Sequence, residues 1–288
     1  MQTAQQAKQQ ILKLQHLPPL SATATRLLTL LSEEDLALNK LAEVINQDPG
    51  LAARILGLAN SAYFGQQNPV LKVEDAIIRV LGLNMVKSLS FSIAVSGAFD
   101  ISGCHHFDLK RYWRDSLYLA TLARQLSLKS TTDDRSDPDA VYLAGLLLNI
   151  GVLVLVHVFP ELYSKVIQIS RQQGSDADII ALENEHIGIN HCEAGAWLAD
   201  RWHLPSLIVA VISQMSQQVR DEHSKEVILV GAVSCWLNHT DEDGALVKQC
   251  RSTLSDCCGL SAESLDHIKA GFLDKEDEIK LIANLLAS

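Results

Sequence analysis

The stretch Tyr142-Leu143-Ala144-Gly145-Leu146-Leu147-Leu148-Asn149-Ile150-Gly151-Val152-Leu153-Val154-Leu155-Val156-His157-Val158-Phe159 decides the fold. Only Asn149 and His157 are strongly polar, so by length and composition the run imitates a membrane span. Gly145, Asn149 and Gly151 interrupt it, however, and Pro160 ends it. The acids Asp137, Asp139 and Glu161 flank it, and no Lys or Arg stands directly beside it to set an orientation. It therefore reads as two buried core helices that meet near Asn149-Gly151, with no membrane span.

Outward from this run, apolar residues recur at spacings of three and four, and no alternating β-branched run bounded by hairpin turns occurs. The fold class predicted is all-α, a multi-helix bundle. Asp48-Pro49 and Asp137-Pro138 read as helix starts, because an acid can accept free N–H groups and proline presets φ at the first helical position. Gly82, after Val73 to Leu81, reads as a helix stop. Breaks fall at Phe99 to Asp108, at Ser127 to Pro138 and at Gln172 to Asp176, with Asp176 expected to cap the next helix.

With 288 residues and 48% hydrophobic composition, the chain can bury roughly three quarters of its unfolded surface. A net charge of −10 and a pI near 5.4 argue against nucleic acid or an anionic membrane face as partner. Met1 to Gln15 is glutamine-rich and lacks the apolar core of an export signal, so it reads as an amphipathic helix of a cytoplasmic protein. Six cysteines without a paired framework are expected to be reduced thiols.

Several short motifs occur in order: Leu17-Pro18-Pro19-Leu20, Ile45-Asn46-Gln47-Asp48-Pro49-Gly50-Leu51, Ala59-Asn60-Ser61-Ala62-Tyr63-Phe64-Gly65 and Ala76-Ile77-Ile78-Arg79-Val80-Leu81-Gly82. They are followed by Trp113-Arg114-Asp115-Ser116, by His191-Cys192-Glu193-Ala194-Gly195-Ala196-Trp197-Leu198 and by Trp202-His203-Leu204-Pro205. Together they resemble the HDOD family, the non-catalytic branch of the HD phosphohydrolase superfamily, from about Leu14 to Met215. The resemblance implies an N-terminal helical bundle (14–100) packed on a degenerate HD-like central bundle (108–215), with helical extensions at 1–13 and 216–288. In the motifs alone, Asp48 is a helix start and Asn60-Ser61 a helix end; Asp48, Asn60, Ser61 and Tyr63 are equally candidates for binding a ligand or partner.

HD-type hydrolysis needs His and Asp ligands converging on one or two metal ions that polarise a phosphoryl oxygen and activate water. In this chain Asp115 takes the first histidine's place, and Leu148-Asn149 replaces the His-Asp pair. His191 stands where the family keeps a histidine, while Gln214-Met215 replaces an adjacent-histidine position. Leucine cannot ligate, and asparagine leaves a divalent charge unneutralised. No catalytic residue, metal or cofactor is expected, with His191 and Asp115 as the weak metal candidates. His191 is expected to bond a backbone group, Glu193 or Glu185, and Asp115 is expected to pair with Asn149 across the former site.

Other groupings are less specific. Cys104-His105-His106-Phe107-Asp108 holds four potential ligands but reads as a solvated loop, and Cys250, Cys257 and Cys258 lack finger spacing. Trp113, Trp197, Trp202 and Trp236 lie within helical apolar patterns and read as core. No Gly-rich phosphate loop or nucleophile elbow occurs.

The function expected is that of a catalytically inactive regulatory or signal-transduction module that binds an unidentified protein partner or small signalling ligand. Phe99 to Asp108 and Ser127 to Pro138 are the candidate hinges. A metal-dependent phosphohydrolase with a remodelled site of Asp115, Asn149, His191 and Glu193 is one alternative. A helical adaptor whose tail after Asp221 docks a partner, and is dispensable for folding, is the other.

Overall fold

The computed structural model describes residues 18–33, 35–65, 68–174, 178–214, 224–239 and 244–287. The expected helix over Met1 to Gln15, the cap Asp176 and the position of Met215 lie outside the described residues, as does the side chain of Gln214.

The N-terminal part holds α1 (Ala22–Leu31), α2 (Leu38–Asn46), α3 (Pro49–Ala59), a 3₁₀ turn (Ala62–Phe64), α4 (Val73–Ala76) and α5 (Leu83–Ser96). The short α4 runs on into a π turn (Ile77–Leu81) closed by the Gly82 amide on the Ile77 carbonyl at 3.0 Å. Gly82 takes φ +82°, a backbone that side-chain-bearing residues resist, so it stops the helix as its sequence position predicts.

The central part holds α6 (Leu109–Lys129), α7 (Pro138–Leu147), α8 (Ile150–Val158), α9 (Pro160–Gln173), α10 (Ile179–His186), α11 (His191–Arg201) and α12 (Ser206–Gln214). Its starts are set by side chains that accept free amides: Asp108 from Lys110 and Arg111, Asp137 from Asp139, Asp178 from Ala181 and Asn190 from Glu193. The apolar run is indeed two helices, α7 and α8, broken at Leu148-Asn149, and 78% of its most apolar window is buried inside the protein.

Helices α6 and α7 cross closely at Gly145, where a Cβ would fall 2.7 Å from the Ala120 Cα. Trp113 and Trp236 are fully buried and Trp202 nearly so, as expected; Trp197 is only partly covered and lies under the Arg201 guanidinium.

The C-terminal part is α13 (Lys225–Asn238), α14 (Ala245–Cys258), α15 (Ala262–Leu273) and α16 (Glu276–Leu286). Its helices pack into the main core although the apolar pattern there is weaker. Phe272, Ile279, Ile282 and Leu286 enter the same apolar core as Leu27 and Leu153, with α16 packed on α6, α3 and the 3₁₀ turn. Each such side chain contributes about 1.5–3 kcal/mol when removed from water.

Both expected hinges are pinned. Cys104 is buried with its Sγ 3.3 Å from the Ser164 hydroxyl, and the Asp100 amide donates to His157 Nδ1 at 3.1 Å. In the second segment the Thr131 amide and the Ser130 hydroxyl both donate to the Cys258 carbonyl, while the Thr131 hydroxyl donates to the Gly259 carbonyl. These loops, broken in helical pattern, are tied by long-range bonds that sequence periodicity does not register.

The expectation of reduced cysteines is corrected at one pair. Cys235 on α13 and Cys250 on α14 form a disulfide with Cα atoms 6.5 Å apart, because the two helices lie side by side. Cys104, Cys192, Cys257 and Cys258 are free.

Candidate functional site

The site is built where α8 meets α11. Gly151, two residues after Asn149, lies so close to the start of α11 that a Cβ on it would fall 1.8 Å from the His191 carbonyl oxygen and 2.6 Å from the Gly195 nitrogen. A Cβ on Gly195 would meet Ile212 of α12 at 2.9 Å. Glycines at both positions let α8 and α11 touch backbone to backbone and bring the Ile212 side chain of α12 against them. Leu148, at 3% exposure, belongs to the apolar core at this junction, and Asn149 is half-buried as the residue before α8.

His191 opens α11, and its partner is neither Glu193 nor Glu185. Its amide donates to Glu183 Oε2 at 2.8 Å, and its Nδ1 lies 2.7 Å from the same oxygen. The other oxygen, Oε1, accepts the Tyr163 hydroxyl at 3.0 Å. Glu183 has no solvent exposure at all and Tyr163 is 4% exposed. The chain reaches this geometry because α10 presents Glu183 inward beside Leu182, and Asn190 then caps α11 so that His191 turns back over the carboxylate.

A buried carboxylate requires a counter-charge and donors, and it has both. Burial by itself pushes the His191 imidazole down, but the adjacent Glu183 carboxylate prevails and the group rises to about 10. Burial, reinforced by Glu183, holds the Tyr163 phenol well above its ordinary value.

Asp115 does not join this cluster. It lies on the partly exposed side of α6, where Arg114 Nε and Nη2 donate to its Oδ1 at 2.9 and 2.6 Å, and Arg111 lies 3.6 Å from its Oδ2. The expected pairing of Asp115 with Asn149 is therefore not formed: two neighbouring arginines already neutralise the carboxylate at the surface. Glu193 is half-buried in the first turn of α11.

The donor set does not fit the metal of an HD-type hydrolase. Leu148 is apolar, Asp115 is held by arginines, and His191 gives Nδ1 to Glu183, leaving one ring nitrogen. Among the described residues no three His, Cys, Asp or Glu side chains gather where they could hold an ion. The Cys104 to Asp108 segment is dispersed as well. Cys104 is buried against Ser164, His106 Nε2 lies 2.8 Å from Gln168 Nε2, and Asp108 caps α6.

The four N-terminal candidates separate by role. Asp48 accepts the Leu51 amide at 3.0 Å and so serves as the cap of α3. Asn60 clasps the loop beyond it: Nδ2 donates to the Leu56 and Val70 carbonyls at 2.8 Å each, and Oδ1 accepts the Val70 amide at 2.7 Å. Ser61 Oγ is buried without a hydrogen-bond partner. Tyr63 alone faces space, at a cavity of about 100 Å³ that it shares with Tyr142 and Arg124.

The family model for the HDOD domain matches residues 17–218. The chain belongs to the HDOD family. An uncharacterized protein of Treponema pallidum (strain Nichols) is 28% identical over 200 residues, which is 69% of this chain and 37% of that protein. Three solved structures resemble nearly the whole chain at the level of fold. A candidate signal transduction protein from Marinobacter aquaeolei VT8 has a TM-score of 0.82 and 24% identity, covering 99% of this chain and 66% of its own. An HDOD domain protein of unknown function from Geobacter sulfurreducens has a TM-score of 0.77 and 23% identity, covering 98% and 97%. A candidate phosphohydrolase from Shewanella amazonensis SB2B has a TM-score of 0.72, also at 23% identity, covering 97% of each chain. The chain thus spans about a third of its curated relative and about two thirds of the Marinobacter chain. The all-α architecture is that of the HDOD and HD-like proteins, and the C-terminal helices beyond residue 218 complete the core of this HDOD chain.

Proposed function

We propose that this HDOD chain is a catalytically inactive regulatory module of a cytoplasmic signalling system, acting by binding a protein partner or small ligand. One observation carries the reading: Leu148, 3% exposed, is part of the apolar core at the position where a hydrolase of this type needs a ligand. Fold likeness to a phosphohydrolase does not supply the missing side chains, since chemistry depends on the site and not on the scaffold.

A second reading, a remodelled metal-dependent phosphohydrolase, draws on the Glu183–His191 bond. A carboxylate on Nδ1 is how metalloproteins orient a histidine whose other nitrogen ligates. That reading requires at least two more ligands, and Asp115 and Asn149 would have to turn away from their present positions to provide them.

The test is hydrolysis of phosphomonoesters and phosphodiesters by the full chain with added Mn²⁺, Fe²⁺ or Zn²⁺. The binding reading expects no turnover dependent on His191. Turnover abolished by both His191→Ala and Asp115→Ala would instead establish the hydrolase.

A further inference from the structure

The space beside Tyr63 is walled by all three parts of the chain: the 3₁₀ turn and α5 from the N-terminal part, α6 and α7 from the centre, and α16 from the C-terminal part. Its walls are mainly apolar, with Leu89, Leu117 and Ile282 among them. Tyr142 is 4% exposed and lines the cavity. Thr121, half-buried, adds a hydroxyl on the adjoining wall. A mainly apolar cavity with a few hydroxyls on its wall suits an occupant that is apolar apart from one polar group.

Arg124 Nε donates to Asp139 at 3.2 Å, and the Lys275 ammonium stands over the Tyr63 ring, where Glu278 also acts on the phenol. The charged residue on the wall, Arg124, is already paired with Asp139, so a neutral occupant fits better than a carboxylate or phosphate. A closed apolar cavity of about 150 Å³ holds a benzene ring. This one is about 100 Å³ and partly open to solvent, and Met85 on its wall is a side chain that readily changes shape.

We propose that this cavity binds a neutral, ring-sized molecule carrying one hydroxyl or carbonyl group, which bonds Tyr142 or Thr121 and rests on Met85, Leu89 and Ile282. The proposal rests on the regulatory reading and deepens it: the occupant ties α16 to the N-terminal part, so its presence is felt across all three parts of the chain.

Phenol is the probe and benzene its apolar control, titrated into the full chain and followed by amide NMR shifts and by melting temperature. Expected are saturable shifts at residues of the 3₁₀ turn, α7 and α16, with phenol binding more tightly than benzene. Tyr142→Phe should weaken phenol about five- to tenfold while leaving benzene unchanged, the loss of one hydrogen bond. Ile282→Phe fills the space and should abolish both, and if it fails to fold, Leu89→Phe fills the same space from α5. No saturable shift with phenol, equal binding of phenol and benzene, or undiminished binding to a folded cavity-filled variant overturns the proposal. The titration involves neither metal nor ester, so its failure leaves the non-catalytic reading intact. Phosphoester turnover, conversely, would overturn that reading while leaving the titration result standing.

Discussion

His191 Nδ1 lies 2.7 Å from Oε2 of Glu183, a carboxylate with no exposure to solvent. Removing the carboxylate leaves a buried imidazole without its counter-charge and a tyrosine hydroxyl without its acceptor. Glu183→Ala is expected to destabilise the fold by about 3–5 kcal/mol, read by urea denaturation. A loss under about 1 kcal/mol would mean that the cluster is not a structural element.

The same pair sets a pH dependence. The folded-state value of His191 is raised to about 10 from an ordinary value near 6.5. The protonated imidazole therefore stabilises the fold fully below about pH 6.5, and that contribution is lost as pH rises through about 10. Melting temperature should fall from pH 7 to pH 10 more steeply in the parent than in Glu183→Gln. Parallel curves would show that the imidazole is not held charged.

Gly151→Ala should be among the most damaging small substitutions in the chain. Its Cβ would collide with backbone atoms of His191 and Gly195, which cannot move without separating α8 from α11. A cost of about 3 kcal/mol or more is expected. Gly195→Ala should cost less, since its first obstacle is the Ile212 side chain. Denaturation midpoints in that order support the packing, and the reverse order opposes it.

Deleting α16 should unfold the protein rather than merely remove a docking tail. Ile279, Ile282 and Leu286 are core residues, and even Leu286→Ala should cost about 2–5 kcal/mol. Circular dichroism of a chain ending at Asp274 reads the outcome, and a stable helical fold without α16 would restore the tail as dispensable.

The Cys235–Cys250 bridge closes a sequence separation of 15 residues, worth about 3 kcal/mol in chain entropy. Thiol titration of the denatured protein should find four free cysteines before reduction and six after it. Six at the outset would mean that the pair is reduced.

The elements were legible in the sequence because their signals are local. Asp48-Pro49 and Asp137-Pro138 start helices where cap chemistry requires, Gly82 stops one, and the apolar run breaks at Asn149. The site was only half legible. His191 was visible, but its partner sits eight residues earlier on a different helix and was passed over for Glu185 and Glu193. A faint signal existed: Ile179, Glu183 and Ile187 recur at four-residue spacing, which places the acid on an apolar face. Motif position places Asp115 on a helix but does not specify the rotation of its side chain toward Arg114. The cavity beside Tyr63 was invisible, since its walls come from elements more than two hundred residues apart.

The most direct single measurement is the metal content of untagged protein purified without chelator, by elemental mass spectrometry, beside that of His191→Ala. The expected result is no stoichiometric metal in either, as apolar Leu148 and the absence of three gathered ligands among the described residues lead one to expect. One Fe, Mn, Ni or Zn per chain, lost in His191→Ala, would contradict the non-catalytic reading.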